Sequence, residues 1–338
     1  RLERHRLADG EFIGTVDGLG LATISPPAAD PAAESPAAFF SVTSFTSPTA
    51  LYRWTPGDGA RRWAGDTAEL PELDVRYVRY PSTGGVEVGL FVVHAAGVTP
   101  GPETPALLNG YGGFAISESP AFLPHVVAWC EAGGVYALAG LRGGLEEGKD
   151  WHDAGRRANK QHTFDDFHAA ADFLVGEGLT SHERLGIYGG SNGGLLVGAA
   201  LTQRPQAYRA VWCAVPLLDM IRYPQFLIAR LWTSEYGDPE VPEEFGWLWA
   251  YSPYHRVVDG TRYPAVLLTA AEGDSRVDPL HARKMAAQLQ HATADPDQHP
   301  ILLFQEARAG HGAGKPIHQR MAEYADVLAF FTWQLGVA

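Results

Sequence analysis

The sequence predicts an α/β protein, doubly wound about a mostly parallel sheet and preceded by a small antiparallel β segment. Three observations carry this. From about residue 75, short and almost wholly apolar runs alternate with helical stretches. Such runs suit strands covered on both faces, and the alternation suits right-handed βα crossovers. Residues 1–74 differ: brief β-like runs are separated by turn signals and one Pro/Ala-rich stretch. Finally, 338 residues with 46% hydrophobic and 19% charged content are enough to form a sizeable core, which excludes disorder over most of the chain.

The elements follow in order. Residues 12–16, 39–43 and 51–54 read as antiparallel strands, with Pro56-Gly57-Asp58-Gly59 as a turn. Residues 25–33, rich in Pro and Ala, read as a linker or loop. A strand at 86–93 opens the α/β part. Strands are expected at 105–109, 135–141, 185–188, 210–215, 265–270 and 301–305. Helices are expected at 121–132, 164–176, 193–203, 280–292 and 317–334. In the last, Met321, Tyr324, Val327, Leu328 and Phe331 fall on one face. The expected division is 1–74, a small antiparallel β segment with a linker, and 75–338, a doubly wound α/β domain.

Composition narrows the function. The net charge of −13 argues against nucleic acid or an anionic membrane as partner. No run of 18 apolar residues suggests a membrane span. Cys130 and Cys213 sit in apolar surroundings and read as a reduced, buried pair rather than a disulfide scaffold. The chain begins at Arg1 with no visible signal peptide, and a cytoplasmic location is the expectation. No signal fixes an oligomeric state.

Gly189-Gly190-Ser191-Asn192-Gly193 is G-x-S-x-G. The motif alone is weak, but it lies between an apolar strand and a helical stretch, where a sharp turn lifts the Ser above the sheet. A serine nucleophile needs a base and an acid, in the order Ser, Asp or Glu, His for such an elbow. Asp274, in the loop after strand 265–270, is the expected acid, with Glu272 and Asp278 as rivals. Asp278 reads better as a helix N-terminal charge. His311, in a glycine-rich loop after strand 301–305, is the expected base among His281, His291, His299, His311 and His318. His281 reads as a capping or surface residue, and His318 as a helix side chain. An oxyanion hole would use the Asn192 N–H and either the glycine-rich backbone after strand 105–109 or the Tyr111 hydroxyl. Gly310–Pro316 fails the phosphate-loop spacing, with Ala309 and Pro316 at key positions, and His182-Glu183 lacks the second His of a zinc motif. Neither metal nor cofactor is expected.

Taken together, these motifs resemble the prolyl oligopeptidases, serine peptidases of the α/β-hydrolase class. The resemblance covers about 75–338. It rests on Tyr111-Gly-Gly-Phe114, Arg142-Gly-Gly144, Asn159-Lys-Gln161, Phe164-Asp-Asp-Phe167, Gly189-Gly-Ser-Asn-Gly-Gly194, Asp274-Ser-Arg-Val277 and Gly310-His-Gly-Ala-Gly-Lys-Pro316. It implies Ser191, Asp274 and His311 as the triad, and Tyr111 with Asn192 as oxyanion donors. Trp232 matches the ring that stacks on a substrate proline, with Phe114, Val277 and Tyr236 lining the same pocket. Without the resemblance, Trp232 fits core packing equally well. Arg276 matches the residue that holds a substrate carbonyl. The implied activity is endopeptidase cleavage of short peptides after proline. Two alternatives remain open: cleavage after basic residues as in oligopeptidase B, for which Glu235 and Asp219 would supply acidic pocket charge, and an esterase. Two departures stand out. Only the end of the family's propeller is represented, so the chain reads as the C-terminal part of a longer enzyme. Arg142-Gly143-Gly144-Leu145 also lacks an extra Gly expected after that motif.

Overall fold

The computed structural model describes residues 2–30, 35–65, 69–307, 310–311 and 315–337. The chain divides into two compact units, Arg1–Val75 with Ser119–Ala128, and Arg76–Glu118 with Trp129–Ala338. The first contains a five-stranded sheet whose neighbouring strands run antiparallel: Thr23–Ile24, Ala28–Ala29, Ala38–Ser44, Ser47–Thr55 and Gly59–Ala64. A hairpin pairs Glu3–His5 with Phe12–Thr15. Alternation along Ala38–Ser44 turns Phe40 and Val42 inward onto Val16, with Tyr52 and Trp54 packed alongside. Part of the Pro/Ala-rich stretch is therefore strand rather than linker, and residues 31–34 lie outside the described set.

The second unit is built on eight strands: β1 (Leu73–Ser82), β2 (Val86–Ala95), β3 (Ala106–Gly110), β4 (Val135–Gly140), β5 (Leu185–Gly190), β6 (Ala210–Ala214), β7 (Ala265–Ala271) and β8 (Ile301–Glu306). Their order across the sheet is β1-β2-β4-β3-β5-β6-β7-β8. From β4 to β8 every neighbour is parallel, whereas β2 runs antiparallel to β4. Helix α1 (Pro124–Glu131) begins among the residues of the first unit; the second unit holds α2 (Lys149–Asp153), α3 (Gln161–Gly176), α4 (Asn192–Gln203), α5 (Thr233–Tyr236), α6 (Pro242–Tyr251), α7 (Leu280–Ala292) and α8 (Ile317–Leu335). In α3, Phe164, Phe167, Ala170, Ala171 and Leu174 recur at helical spacing and are all buried. Among the described residues, no helix is long and apolar enough to cross a membrane. Both cysteines are buried free thiols, and burial pushes the Cys130 thiol up to about 12.

Two expectations need correction. Central strands are covered on both faces, but β8 is an edge strand, and its Leu302, Leu303 and Phe304 are exposed. Along α8, Val327 and Phe331 are buried whereas Met321 is exposed, because the first turns of the helix do not pack on the core.

Side chains fix the loop after β4. The Arg142 guanidinium donates to the Asp166 carboxylate (Nε to Oδ2, 2.9 Å), which also accepts the Arg142 backbone N–H at 3.0 Å; both residues are buried. Further along, Glu146 Oε1 accepts the Glu118 N–H at 2.8 Å, while its buried Oε2 has no hydrogen-bond partner among the described residues. Burial pushes the Glu146 carboxyl up from 4.5 to about 7, only partly offset by backbone hydrogen bonds. Between those pH values the folded chain binds more protons than the unfolded one, so stability falls as pH rises through the window. Glu146→Gln should therefore raise stability by on the order of 3 kcal/mol above pH 7 and leave it unchanged below pH 4.5. Thermal unfolding at pH 8 and pH 4.5 checks this; a difference independent of pH contradicts it.

Candidate active site

The turn from β5 into α4 places Ser191 in a strained conformation, φ 58° and ψ −115°. Such geometry at a non-Gly residue costs about 1–3 kcal/mol. Small neighbours permit it: a Cβ on Gly189 would lie 2.3 Å from the Gly193 carbonyl oxygen, and one on Gly194 would lie 2.7 Å from Pro216 Cα. The Ser191 N–H donates to the Ala214 carbonyl at 2.9 Å, and the Ser191 carbonyl accepts from the Leu195 N–H at 3.1 Å. Ser191 thus caps a 12-residue helix whose unpaired N–H groups favour developing negative charge.

Asp274 follows β7. Its Oδ1 accepts the N–H groups of Arg276 (2.8 Å) and Val277 (3.0 Å), while Oδ2 meets His311 Nδ1 at 2.6 Å. Burial opposes ionisation of this carboxyl. The hydrogen bonds from His311 and the two N–H groups outweigh it and hold the pKa below the ordinary value. The rival carboxylates are engaged elsewhere: Glu272 pairs with Arg283 at 2.7 Å, and Asp278 accepts the Leu280 N–H at the start of α7. His281 is neither a cap nor a surface residue. It is buried, its Nδ1 accepts the Asp219 N–H at 3.1 Å, and burial lowers its pKa to about 4. The expected glycine-rich setting of His311 is described only in part, since residues 309 and 312–314 lie outside the described set.

Tyr111 follows β3 and lines the same cavity as Ser191. Burial raises the Tyr111 pKa, with the nearby Ser191 side chain offsetting it in part, so the phenol stays protonated at neutral pH. Asn192 is the first residue of α4. Its side chain donates to the Tyr111 carbonyl at 2.6 Å and accepts from the Tyr236 hydroxyl at 2.8 Å.

A cavity of about 290 Å³ opens at Ser191. Phe114, Trp232, Tyr236, Arg276 and Val277 all line it, together with Tyr111 and Asn192. Phe114 stands edge-on to Trp232 (centroids 6.2 Å apart) and to Tyr236 (5.5 Å), the geometry favoured by ring quadrupoles. Trp232 is a half-buried wall of the cavity that also packs against the core. Ile116, Leu217 and Ile228 complete the lining. Neither Glu235 nor Asp219 lines the cavity. Glu235 is buried beneath it, with Oε1 accepting the Phe114 N–H at 2.9 Å and Oε2 meeting His152 Nε2 at 2.8 Å. Asp219 is buried and pairs with Lys284 and Arg222. Among the described residues, no group of three His, Cys, Asp or Glu is placed to hold a metal ion.

Residues 120–338 match the model of the prolyl oligopeptidase family of peptidases. Among curated relatives, the prolyl endopeptidase of Elizabethkingia meningoseptica is 38% identical over 303 residues, covering 88% of this chain and 43% of the relative. The dual function macrocyclase-peptidase POPB of Galerina marginata is 35% identical over 311 residues, covering 88% and 42% respectively. The chain thus spans less than half the length of these relatives. Among solved structures, one from a study of two prolyl endopeptidases superposes with a TM-score of 0.92 at 45% identity, covering 97% of this chain and 48% of its own. A post-proline cleaving enzyme from Rickettsia typhi superposes with a TM-score of 0.86 at 30% identity, covering 98% and 48%. The chain belongs to the prolyl oligopeptidase family, and its eight-stranded unit has the α/β-hydrolase fold of that family.

Proposed function

We propose that residues 75–338 are the catalytic domain of a serine endopeptidase that cleaves short peptides on the carboxyl side of proline. Residues 1–74 are read as the last strands of a β-propeller. The observation that carries the proposal is the aromatic slot of Phe114, Trp232 and Tyr236 opening beside Ser191, with Asp274 already paired to His311. A rigid apolar slot walled by rings suits a pyrrolidine ring in area and shape. With Glu235 and Asp219 buried against other partners, nothing acidic among the described lining residues favours a basic side chain. The two buried free thiols fit a reducing compartment such as the cytoplasm.

In this reading, His311 takes the Ser191 proton as Oγ attacks the carbonyl carbon of proline. The Tyr111 hydroxyl and the Asn192 N–H stabilise the resulting oxyanion. His311, now an imidazolium held by Asp274, gives its proton to the leaving amine as the C–N bond breaks. Water then attacks the acyl-enzyme, losing a proton to His311, and Ser191 recovers its proton as the peptide acid leaves. Arg276, exposed at the rim, donates to a substrate carbonyl. A fluorophosphonate probe tests the reading. Mass spectrometry should place the label on Ser191, and a peptidyl-prolinal, but not the matched arginine aldehyde, should prevent it. Labelling that is absent, or blocked better by the arginine aldehyde, would sink the proposal.

A further inference from the structure

The segment from Tyr111 to Phe114 joins the oxyanion hydroxyl to a wall of the proline slot. Its far end is strained: Phe114 has φ 56° and Ala115 φ 53°. Such backbone persists only where its surroundings over-determine it, and here three side chains grip it in succession. The Tyr111 carbonyl accepts from Asn192 Nδ2 at 2.6 Å. The Gly112 carbonyl accepts from Lys160 Nζ at 2.6 Å, and the Phe114 N–H donates to Glu235 Oε1 at 2.9 Å.

Lys160 and Glu235 are both almost wholly buried, at 1% and 3% exposure. Two buried opposite charges are a poor device for stability, because apolar residues of similar volume generally do as well. They are a good device for holding backbone, since charge-assisted hydrogen bonds are short and directional. The Glu235 charge also favours the protonated form of Lys160 against burial, which by itself drives the ammonium toward neutrality. His152 holds the second Glu235 oxygen, and the Lys160 ammonium lies 5.7 Å from the centre of the Tyr236 ring.

We propose that Lys160 and Glu235 are positioning residues with separable duties: Lys160 fixes Gly112 and with it the Tyr111 oxyanion donor, and Glu235 fixes Phe114 and with it the proline slot. The inference rests on the peptidase reading above. Neither residue touches substrate, so each acts through the segment it holds.

The test uses the full 338-residue chain and two matched peptide amides that differ only in Pro or Ala before the cut. Lys160→Met removes the donor at similar volume; because it leaves the buried Glu235 without an opposing charge, thermal unfolding first confirms that the variant is folded, and kinetics are read on the folded protein. Lys160→Met should lower kcat on both peptides by about 10²-fold, the scale of losing one oxyanion donor, with KM changed less than about threefold. Glu235→Ala should raise KM for the Pro peptide and cut the Pro-over-Ala preference by roughly tenfold. Glu235→Gln keeps an oxygen for the Phe114 N–H and should restore that preference. A merely structural role predicts equal losses on both peptides and no rescue by Gln. An active wild type whose variants keep kcat and preference overturns this inference alone. A wild type that turns over neither peptide overturns the peptidase reading and this inference with it.

Discussion

Ser191→Ala should lower kcat on a proline-containing peptide amide by at least about 10⁴-fold while leaving KM within a few-fold. The size of the effect follows from the elbow. Oγ is the only atom removed, and the strained backbone, the helix N-terminus and the cavity all persist without it. Binding by Trp232, Phe114 and Tyr236 should therefore survive, and only the acyl-transfer path is lost. Steady-state kinetics with an active-site burst checks this. A variant that retains even a tenth of wild-type kcat would place the nucleophile elsewhere.

Asp274→Asn should cost nearly as much, about 10⁴-fold in kcat. The reason lies in how the carboxylate is shared. Oδ1 is committed to the N–H groups of Arg276 and Val277, and only Oδ2 faces His311. An asparagine that keeps its oxygen on those two donors must turn its amide NH₂ toward His311 Nδ1. The imidazole then carries its proton on Nε2, the nitrogen that should accept from Ser191, and loses its function as base. Near-normal stability with this loss is expected, because the loop hydrogen bonds remain. Unaltered kcat in a folded Asn variant would mean that another group orients the base.

The eight-stranded unit was legible in the sequence wherever the signal was local. Helix α7 was expected at 280–292 and is found at Leu280–Ala292. Strands β3 to β8 are mostly apolar runs, and the G-x-S-x-G elbow announces itself between strand and helix. Signals failed where burial is partial. Strand β1 mixes Arg, Tyr and Val and buries only Tyr80, while α6 buries only Leu248 and Tyr251. Neither has the stripe that periodicity detects. The apolar run of β8 misled in the other direction, because an edge strand and a central one look alike in one dimension.

The limits are sharper at the site. Ile116, Leu217 and Ile228 come from three separate loops, and no local pattern connects them to the slot. Glu235 carried the opposite lesson: read as possible acidic lining, it is turned inward onto Phe114 and His152, 121 and 83 residues away in the chain. Its role is a matter of tertiary contact. A sequence motif places a carboxylate near a pocket but does not say which side of the wall it faces.

The most direct measurement is kcat/KM of the 338-residue chain on three matched chromogenic peptides with Pro, Ala or Arg before the cut. A slot walled by Phe114, Trp232 and Tyr236 predicts that Pro exceeds Ala and Arg by at least about tenfold. A chain that cleaves the Arg peptide as well as or better than the Pro peptide would contradict the account of this pocket.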